Sequence, residues 1–437
     1  MASKDEGKRN TRTRPNVTRR RFVRDVATGI GAVGLGSVGA LTRATGSSAL
    51  PEPGDSGIEH IVVVMMENRS FDHYLGWLPQ ADGQQAGLTY LDGAGVPHST
   101  SPLAPDYQGC GHPDPDHSYE GGRIEFNDGA CDGWLRAGEN DEFSIGYYTQ
   151  EDLAFLGQSA PYWTTCDRYF SALMAETFPN RVYQMAAQTD RLDNSVAICA
   201  LPTIWDRLAE RGVESRYYFS DVPFLALWGA KYLPISRTLP AFLAACATGR
   251  LPQVSFVDPR FADGGAGTPN DDHPHADIRD GQAFLNQIYT AVAKSPAWRR
   301  TVLIINYDEW GGFFDHVPPT MAAVPPADQA VGNDGLRGFR VPCIVASPFA
   351  RRAFVASTEF DHTSILKFIE WRWGLEPLTV RDAEANNLAE VLDFNARAPR
   401  PPLFTVPPGP FFTPCSPSGS ERWLEVRDLA RLFGWSV

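Results

Sequence analysis

The feature that most constrains the fold is an apolar run at residues 61–66, in which polar and apolar side chains do not alternate. Its short, largely β-branched composition predicts a strand buried on both faces, as in parallel sheets covered by helices. Three further runs have the same character, at 254–257, 302–306 and 341–346. Helical patterns at 278–293 and 365–373 alternate with these strands. The chain is therefore predicted to form an α/β fold, a three-layer α/β/α sandwich.

The 437 residues show no composition break within their main part, and a hydrophobic content of 43% is ample for one large core. We therefore predict one domain at residues 50–397. Residues 79–165 are rich in Gly, Pro, Asp and aromatic residues, which predicts long loop insertions over the active-site end of the sheet. Residues 398–437 predict an extended Pro-rich segment followed by a C-terminal helix docked on the domain.

The first 49 residues have a different character. Arg19, Arg20 and Arg21 precede a weakly apolar, Gly-rich stretch at 26–41. This pattern predicts a twin-arginine export signal that is cleaved near Leu50, the twin-arginine export machinery as a partner, and a periplasmic or secreted protein. A membrane anchor is the alternative. However, five glycines within 16 residues suit a membrane span poorly, so no stable membrane insertion is expected.

The net charge and the cysteines limit which partners and which metal sites this protein can be expected to have. The net charge is −13, and removal of residues 1–49 would take away ten Lys or Arg and three Asp or Glu, leaving −20. Such an acidic protein is not expected to bind nucleic acid. The seven cysteines lack CxxC spacing, which argues against a zinc knuckle. Cys110 and Cys131 bracket a loop-rich stretch and are the most plausible local disulfide, and the odd count leaves at least one thiol free or intermolecular.

Oxygen-bearing side chains follow two of the predicted strands. Glu67 and Asn68 follow the strand at 61–66, and Asp308 and Glu309 follow the strand at 302–306. Ligands collect at the carboxyl ends of parallel strands, where these side chains would meet. Carboxylates that close would repel one another and take up protons unless they enclosed a divalent cation. The sequence thus predicts a metal site, with a solvated turn as the alternative for either pair alone.

Thr177 precedes Pro179 and a predicted helix that starts near Asn180. A hydroxyl there lies at the positive end of the helix dipole, beside free backbone N–H groups, which favours its alkoxide and a bound phosphate. The alternative is that Thr177 only caps the helix. This segment alone leaves both interpretations open.

Six segments, taken in order, resemble the bacterial phospholipase C and acid phosphatase family of phosphoesterases, a branch of the alkaline phosphatase superfamily. They are ENRSFDHYLG, ETFPNR, DDHPHAD, YDEWGGFFDHV, GFRVPCIVASPFAR and DHTSILKFIEWRWGL, and they span most of residues 58–375. An ordered match in six parts is far more specific than any single motif. The resemblance implies an alkaline phosphatase-like fold and a hydrolase of phosphate esters.

The resemblance also implies roles for individual residues. Thr177 would be the nucleophile, and the metal ligands would be Glu67, Asn68, Thr177, Asp308 and Glu309. The active-site histidines would be His117, His273 and His362. Asn180 and Arg181 would contact the substrate, although a salt bridge is the alternative for Arg181. Because the ligands are oxygen donors, one divalent cation is expected, Ca²⁺, Mg²⁺ or Mn²⁺, or the Zn²⁺ common in the superfamily.

The function implied is hydrolysis of phosphoric esters through a phospho-threonine intermediate at Thr177. The same core serves phospholipase C enzymes and acid phosphatases, so phospholipids and phosphomonoesters are both open as substrates. A third alternative, from another class, is a non-catalytic cell-surface binding protein that keeps the metal for structure. A choline headgroup could be caged by aromatic side chains through cation–π attraction, with core packing as the alternative for most of them: Tyr147, Tyr148, Trp163, Trp310 and Phe313.

Overall fold

A computed structural model describes residues 42–43, 50–262, 268–397, 400–415 and 421–437. The predicted export signal at 1–49 lies outside the described residues, apart from Thr42–Arg43. These two residues form a short strand at the edge of the main sheet. Cleavage near Leu50 would remove that strand.

A sheet of nine strands, counted over the described residues, forms the centre of the protein. In chain order the strands are Thr42–Arg43 (β1), His60–Met66 (β2), Thr164–Cys166 (β3), Ser215–Phe219 (β4), Ser236–Thr238 (β5), Val254–Val257 (β6), Thr301–Tyr307 (β7), Cys343–Ala346 (β8) and Phe354–Ala356 (β9). Their order across the sheet is β1-β9-β3-β8-β7-β2-β6-β4-β5. The central strands β2, β6 and β7 are buried along almost their whole length, which confirms the interpretation of their continuous apolar runs.

Strand direction is uniform except at β8. This strand runs antiparallel to both of its neighbours, β7 and β3, whereas the other neighbouring strands are parallel. The buried strand predicted at 341–346 is confirmed as β8. Its direction could not be read from the sequence, because helices cover both faces and an antiparallel strand there needs the same apolar residues as a parallel one.

Eleven α-helices occur in the described residues: Phe71–Leu75 (α1), Tyr119–Phe126 (α2), Leu156–Ser159 (α3), Thr177–Ala186 (α4), Ile204–Glu210 (α5), Leu239–Thr248 (α6), Ile278–Lys294 (α7), Pro326–Val331 (α8), His362–Trp373 (α9), Val380–Glu384 (α10) and Glu421–Leu432 (α11). The helix predicted at 278–293 is confirmed by α7. The helix predicted at 365–373 begins three residues earlier, where Asp361 closes a capping box with Ser364.

Helices lie on both faces of the sheet. Trp205 of α5 packs against Phe256 of β6, with ring centroids 4.9 Å apart, and Phe242 of α6 packs against Tyr218 of β4 at 5.2 Å. Phe256 is in register with Tyr217, and consecutive strand residues point to opposite faces. α4 packs with α5 and α9, and α6 packs with α7. The fold is therefore the predicted three-layer α/β/α sandwich.

The region at 79–165 contains more regular structure than loops alone. It holds two small strand pairs, Thr89–Leu91 with Pro97–Ser99 and Ser101–Pro102 with Gly146–Tyr147, together with α2 and α3. Strands of two or three residues are too short to leave a periodic signal, which is why the sequence did not predict them.

The C-terminal segment is held by a disulfide and by buried side chains. Cys110 bonds to Cys415, whereas Cys131 is a buried free thiol, so the predicted pairing of Cys110 with Cys131 is wrong. The two bonded residues are 305 positions apart, and no local pattern could indicate that contact. α11 buries Trp423, Val426 and Ala430. Within the described part of the chain, no helix has both the length and the apolar character needed to cross a bilayer.

Candidate active site

The candidate site forms where β2 and β7 end side by side. Met66 and Tyr307, the last residues of these parallel strands, are in register, so Glu67 and Asp308 leave the sheet at the same level. The Asp308 N–H donates to the Met66 carbonyl at 3.1 Å, and the Asn68 N–H donates to Asp308 Oδ1 at 3.1 Å. The structure thus brings together the two pairs of oxygen ligands that the sequence predicts.

Thr177 is the first residue of α4, and its hydroxyl points toward these ligands. Its Oγ1 donates to Asn68 Oδ1 at 3.3 Å, while Glu176 occupies the N-cap position. The helix begins three residues earlier than predicted, and the Thr177 side chain does not cap it. The Phe178 N–H already donates to Asn194 Oδ1 at 2.7 Å, and Pro179 has no N–H. Few backbone donors of this helix are therefore left for a phosphate, contrary to the expectation from sequence.

Two of the three predicted histidines line the same cavity as Thr177, which has a volume of about 490 Å³. His117 Nδ1 bonds the Pro115 carbonyl at 2.7 Å, and His273 Nδ1 bonds the Pro274 carbonyl at 2.8 Å. A carbonyl can only accept, so each Nδ1 carries a proton and each Nε2 is turned toward other partners. His273 Nε2 lies 3.6 Å from Asp114, and burial lowers the pKa of His273.

His362 is placed differently. It is fully buried, its Nε2 donates to the Asp308 carbonyl at 2.6 Å, and its Nδ1 accepts from the Tyr169 hydroxyl at 3.1 Å. Burial lowers its pKa to about 4, so the ring is neutral near pH 7. Both ring nitrogens are occupied, and His362 does not line the cavity. The ring holds the backbone of Asp308, and a catalytic role for His362 stays a prediction.

Asn180 and Arg181 also face the protein interior. The Asn180 amide is bonded to the backbone of residues 173–176 through both its oxygen and its nitrogen. Arg181 is buried, and its guanidinium binds Asp308 Oδ2 at 2.9 Å and Asp258 Oδ1 at 3.2 Å. Substrate contact by either residue stays a prediction. Arg181 does form salt bridges, but they are buried, unlike the helix-surface salt bridge that was the alternative from sequence.

The residues present fit a divalent cation. Two buried carboxylate oxygens, Glu67 Oε2 and Glu309 Oε1, have no hydrogen-bond partner among the described residues, which is costly unless a cation binds them. Burial and neighbouring carboxylates raise the pKa of Glu67 well above its usual range, and burial raises that of Glu309 to about 8. A cation would offset this negative charge. The oxygen-only donor set suits Ca²⁺, Mg²⁺ or Mn²⁺.

The hydrogen bond between Asn68 and His117 also favours a bound cation. Asn68 Nδ2 lies 3.2 Å from His117 Nε2, so the ring nitrogen must be unprotonated to accept. Burial opposes the charged form of His117, but Glu309, Asp114 and Glu176 raise its pKa to about 10. A cation bound to Glu309 would offset the negative charge that raises the pKa of His117. The neutral ring could then accept the hydrogen bond from Asn68.

The tightest groups of potential ligands in the described residues are not the predicted set. Carboxylate and imidazole atoms lie within 4.8 Å of one another in Asp114, His117 and His273, and again in Asp72, Asp315 and His316. In the second group Arg340 lies 3.0 Å from Asp72 and 2.9 Å from Asp315, so the charges are compensated within the protein. Glu67, Asp308 and Glu309 do not come as close together as either group.

The sequence analysis missed three residues of the site. Asp258 directly follows β6 and pairs with Arg181, a pattern that matches the other two strand ends and could have been noticed. Asp271 accepts from the His273 N–H at 3.0 Å, and its carbonyl accepts from the Glu67 N–H at 2.8 Å. Trp423 of α11 donates to Glu67 Oε1 at 3.1 Å, and no local signal placed it there.

The aromatic side chains proposed for a choline cage lie elsewhere. Tyr148, Trp163, Trp310 and Phe313 are buried, and none of them lines the cavity. Trp163, for example, packs against Tyr289 and Trp298, with ring centroids 6.1 and 5.8 Å apart. Tyr147 is partly buried and also stands outside the cavity. Core packing, the alternative that the sequence left open, accounts for them.

The sequence is similar to known proteins over most of its length. The sequence pattern of the Phosphoesterase family matches residues 58–376. Phospholipase C A of Mycobacterium tuberculosis is 34% identical over 74% of this chain and 75% of its own length. Non-specific phospholipase C1 of Arabidopsis thaliana is 31% identical over 78% of this chain and 72% of its own.

Among solved structures, a protein in the alkaline phosphatase superfamily from Vibrio parahaemolyticus covers 75% of this chain and 69% of its own. Its sequence identity is 10% and the TM-score is 0.35. A likeness this low carries no argument. The fold assignment therefore relies on the strand order and the helix layers described above.

Proposed function

This chain belongs to the Phosphoesterase family, and we propose that it cleaves phosphate esters by attack of the Thr177 hydroxyl on phosphorus. One observation carries the proposal: Thr177 Oγ1 lies 3.3 Å from Asn68 Oδ1, in a cavity that His117 and His273 also line. The proposed nucleophile, next to the amide oxygen of a proposed ligand, thus shares one cavity with two imidazoles, an arrangement that suits covalent catalysis.

In the first step the Thr177 oxygen bonds to phosphorus while the bond from phosphorus to the ester oxygen breaks. The proton of the hydroxyl leaves as the bond forms, and the ester oxygen takes up a proton as it departs. His117 and His273 line the cavity together with Thr177, and their imidazoles are the groups proposed to move these protons. In the second step water attacks the phospho-threonine, releases phosphate or a phosphate monoester, and restores Thr177.

The residues proposed to hold the cation are Glu67, Asn68, Thr177, Asp308 and Glu309. When bound there, a divalent cation would favour the ionised hydroxyl and offset charge on the phosphoryl oxygens. Arg181 keeps Asp308 in place through its 2.9 Å ion pair, and His362 holds the Asp308 backbone. These two contacts keep Asp308 oriented before substrate arrives.

We extend the proposal to phospholipids, because the relatives that cover most of this chain are named phospholipase C. The test is turnover of phosphatidylcholine, p-nitrophenyl phosphorylcholine and p-nitrophenyl phosphate, each with and without a chelator. Turnover of the two diesters that is lost with chelator is expected. Turnover of the monoester alone would indicate an acid phosphatase, and none at all would indicate a binding protein.

The Thr177 hydroxyl is tested by two substitutions. Thr177→Ala should lower kcat by several orders of magnitude, because the cation and the histidines cannot replace the attacking oxygen. Thr177→Ser should keep substantial activity, and rapid quench with labelled substrate should trap phosphate on Thr177 of the parent only. An alanine variant with near-parental turnover would exclude Thr177 as nucleophile.

We also propose that the protein is exported. Residues 19–21 provide the twin-arginine pattern, and the Cys110–Cys415 disulfide is of the kind that persists in oxidising compartments outside the cytoplasm. The described residues contain no helix suited to a bilayer, in keeping with a released product.

A further inference from the structure

The first turn of α11 reaches the cavity that contains Thr177. Arg422 and Trp423 line this cavity, and the indole Nε1 of Trp423 donates to Glu67 Oε1 at 3.1 Å. Trp423 is only 4% exposed and Glu67 is fully buried. Among the described residues, Glu67 Oε2 has no hydrogen-bond partner. Because the indole binds Oε1, Oε2 is the Glu67 oxygen that remains available to a ligand.

The indole ring is itself fixed by aromatic contacts. It stacks on Phe261, with ring centroids 3.7 Å apart and planes at 5°, and it meets Phe178 at 5.0 Å. Phe178 follows Thr177 directly in α4. The Arg181 guanidinium, which pairs with Asp308, lies 5.6 Å from the ring. Trp423 thus contacts the surroundings of the nucleophile as well as a proposed ligand.

The helix that carries Trp423 is attached to the body at both ends. Before it, Cys415 is bonded to Cys110, a residue of the region that covers the site. After it, the Trp435 Nε1 donates to the Gly229 carbonyl at 3.0 Å. Only six positions separate Cys415 from Glu421, the first residue of α11, so the disulfide limits how far the helix can move from Glu67.

We propose that Trp423 is a positioning residue for the Glu67 carboxylate, so that the cation site is complete only when α11 is docked. The proposal rests on the proposed function, because it takes Glu67 as a cation ligand. Groups that hydrogen-bond to a metal ligand orient it, and their loss commonly weakens metal affinity. A residue more than 350 positions away in sequence thereby becomes part of the metal site.

The test compares two tryptophans of the same segment. Trp423→Phe keeps an aromatic ring for stacking on Phe261 but removes the donor to Glu67. Trp435→Phe is the matched control, because it also removes a buried indole hydrogen bond, to Gly229 and away from the site, while the disulfide and the buried Val426 and Ala430 keep α11 docked. Isothermal titration with Mn²⁺ should show affinity at least about tenfold weaker in Trp423→Phe and nearly unchanged in Trp435→Phe. Equal affinities in both variants, or equal losses, would overturn the proposal.

A second measurement uses the parental protein and does not depend on the stability of a variant after purification. The indole N–H resonance of Trp423, assigned by its absence in Trp423→Phe, should shift when Mg²⁺ is added, and that of Trp435 should not. An unshifted Trp423 resonance at saturating Mg²⁺ would contradict the proposal. If the parental protein bound no cation at all, the proposed metal site itself would be refuted. Failure of the Trp423 proposal looks different, because the parental protein would then bind a cation without any effect of Trp423.

Discussion

At the scale of single residues, the site is dominated by buried negative charge. Glu67, Asp258, Asp308 and Glu309 are all buried, and among them lies one buried guanidinium, that of Arg181. It reaches Asp308 and Asp258 within 3.2 Å and Glu67 at 3.8 Å. The same ion pairs raise the pKa of Arg181, which stays charged. One positive charge cannot balance four carboxylates, so a cation with two charges is the natural complement.

We predict that Asp308→Asn abolishes cation binding and activity together, because the site loses one charge and one hard oxygen ligand. Folding should survive, since the Asn Oδ1 can still accept from the Asn68 and Glu309 N–H groups that now donate to Asp308. Elemental analysis of the purified variant and its turnover with added Mn²⁺ measure the two effects.

Asp258→Asn is the matched control for this prediction. It also removes a carboxylate partner of Arg181, at 3.2 Å, but Asp258 is not a proposed ligand. The control should retain stoichiometric cation. A parental protein without bound metal, or turnover that resists chelation, would refute the cation site.

At the scale of elements, α9 shows how one helix serves two purposes. Its first residue, His362, supports the Asp308 backbone, and the preceding Asp361 is held by Arg337 and Arg381 at 2.7 and 2.9 Å. Near its other end, Glu370 is buried beside Asp382 of α10. Burial and the Asp382 carboxylate raise the pKa of Glu370 to about 10. This end of the helix therefore makes the stability of the protein depend on pH.

The sign of that dependence follows from the raised pKa of Glu370. The folded state keeps a proton that the unfolded chain releases above about pH 4.5, so this contribution to stability is lost progressively as pH rises toward 10. Glu370→Gln removes the titration. Relative to the parent, the variant should gain about 4 kcal/mol in unfolding free energy between pH 5.5 and pH 8.5, since each pH unit between the two pKa values changes the linked free energy by about 1.4 kcal/mol.

Urea unfolding at the two pH values measures this difference. Glu376→Gln, at an exposed position just after α9, is the control and should show no such change. A variant whose stability tracks that of the parent at both pH values would show that Glu370 is not the titrating group.

At the scale of the whole molecule, residues 40–437 form one compact unit. Its covering region and its C-terminal segment are joined by Cys110–Cys415, which closes a loop of 305 positions. A bond over so long a loop strongly restricts the unfolded chain and contributes about 6 kcal/mol in the chain-entropy model. Such bonds persist mainly in oxidising compartments, so the export proposed above would favour this disulfide.

We predict that changing Arg19 and Arg20 together to Lys retains the protein in the cytoplasm, because the paired arginines are the feature that the export machinery reads. Immunoblots of cytoplasmic and external fractions measure the effect. Arg12→Lys with Arg14→Lys, just upstream, is the control and should be exported normally. Normal export of the Arg19 and Arg20 variant would remove the twin-arginine assignment.

Much of this protein could be predicted from sequence, because its central strands are buried on both faces. Such strands leave continuous apolar runs, and the residues that follow them must meet at one edge of the sheet. Glu67 and Asp308 were predicted in this way. Met66 and Tyr307 are paired across the two strands, which places Glu67 next to Asp308. The family could also be recognised, because its motifs are local strings.

Only the tertiary structure decided the features that depend on contacts between distant segments. Burial gives the antiparallel β8 the same composition as a parallel strand. The ring nitrogens of His362 and the guanidinium of Arg181 find their partners inside the protein, which no motif reveals. Cys415 and Trp423 come from the C-terminal segment, which contacts Cys110 and Glu67 only through the tertiary fold. Sequence spacing encodes neighbours along a strand or helix, whereas these contacts depend on how the layers pack.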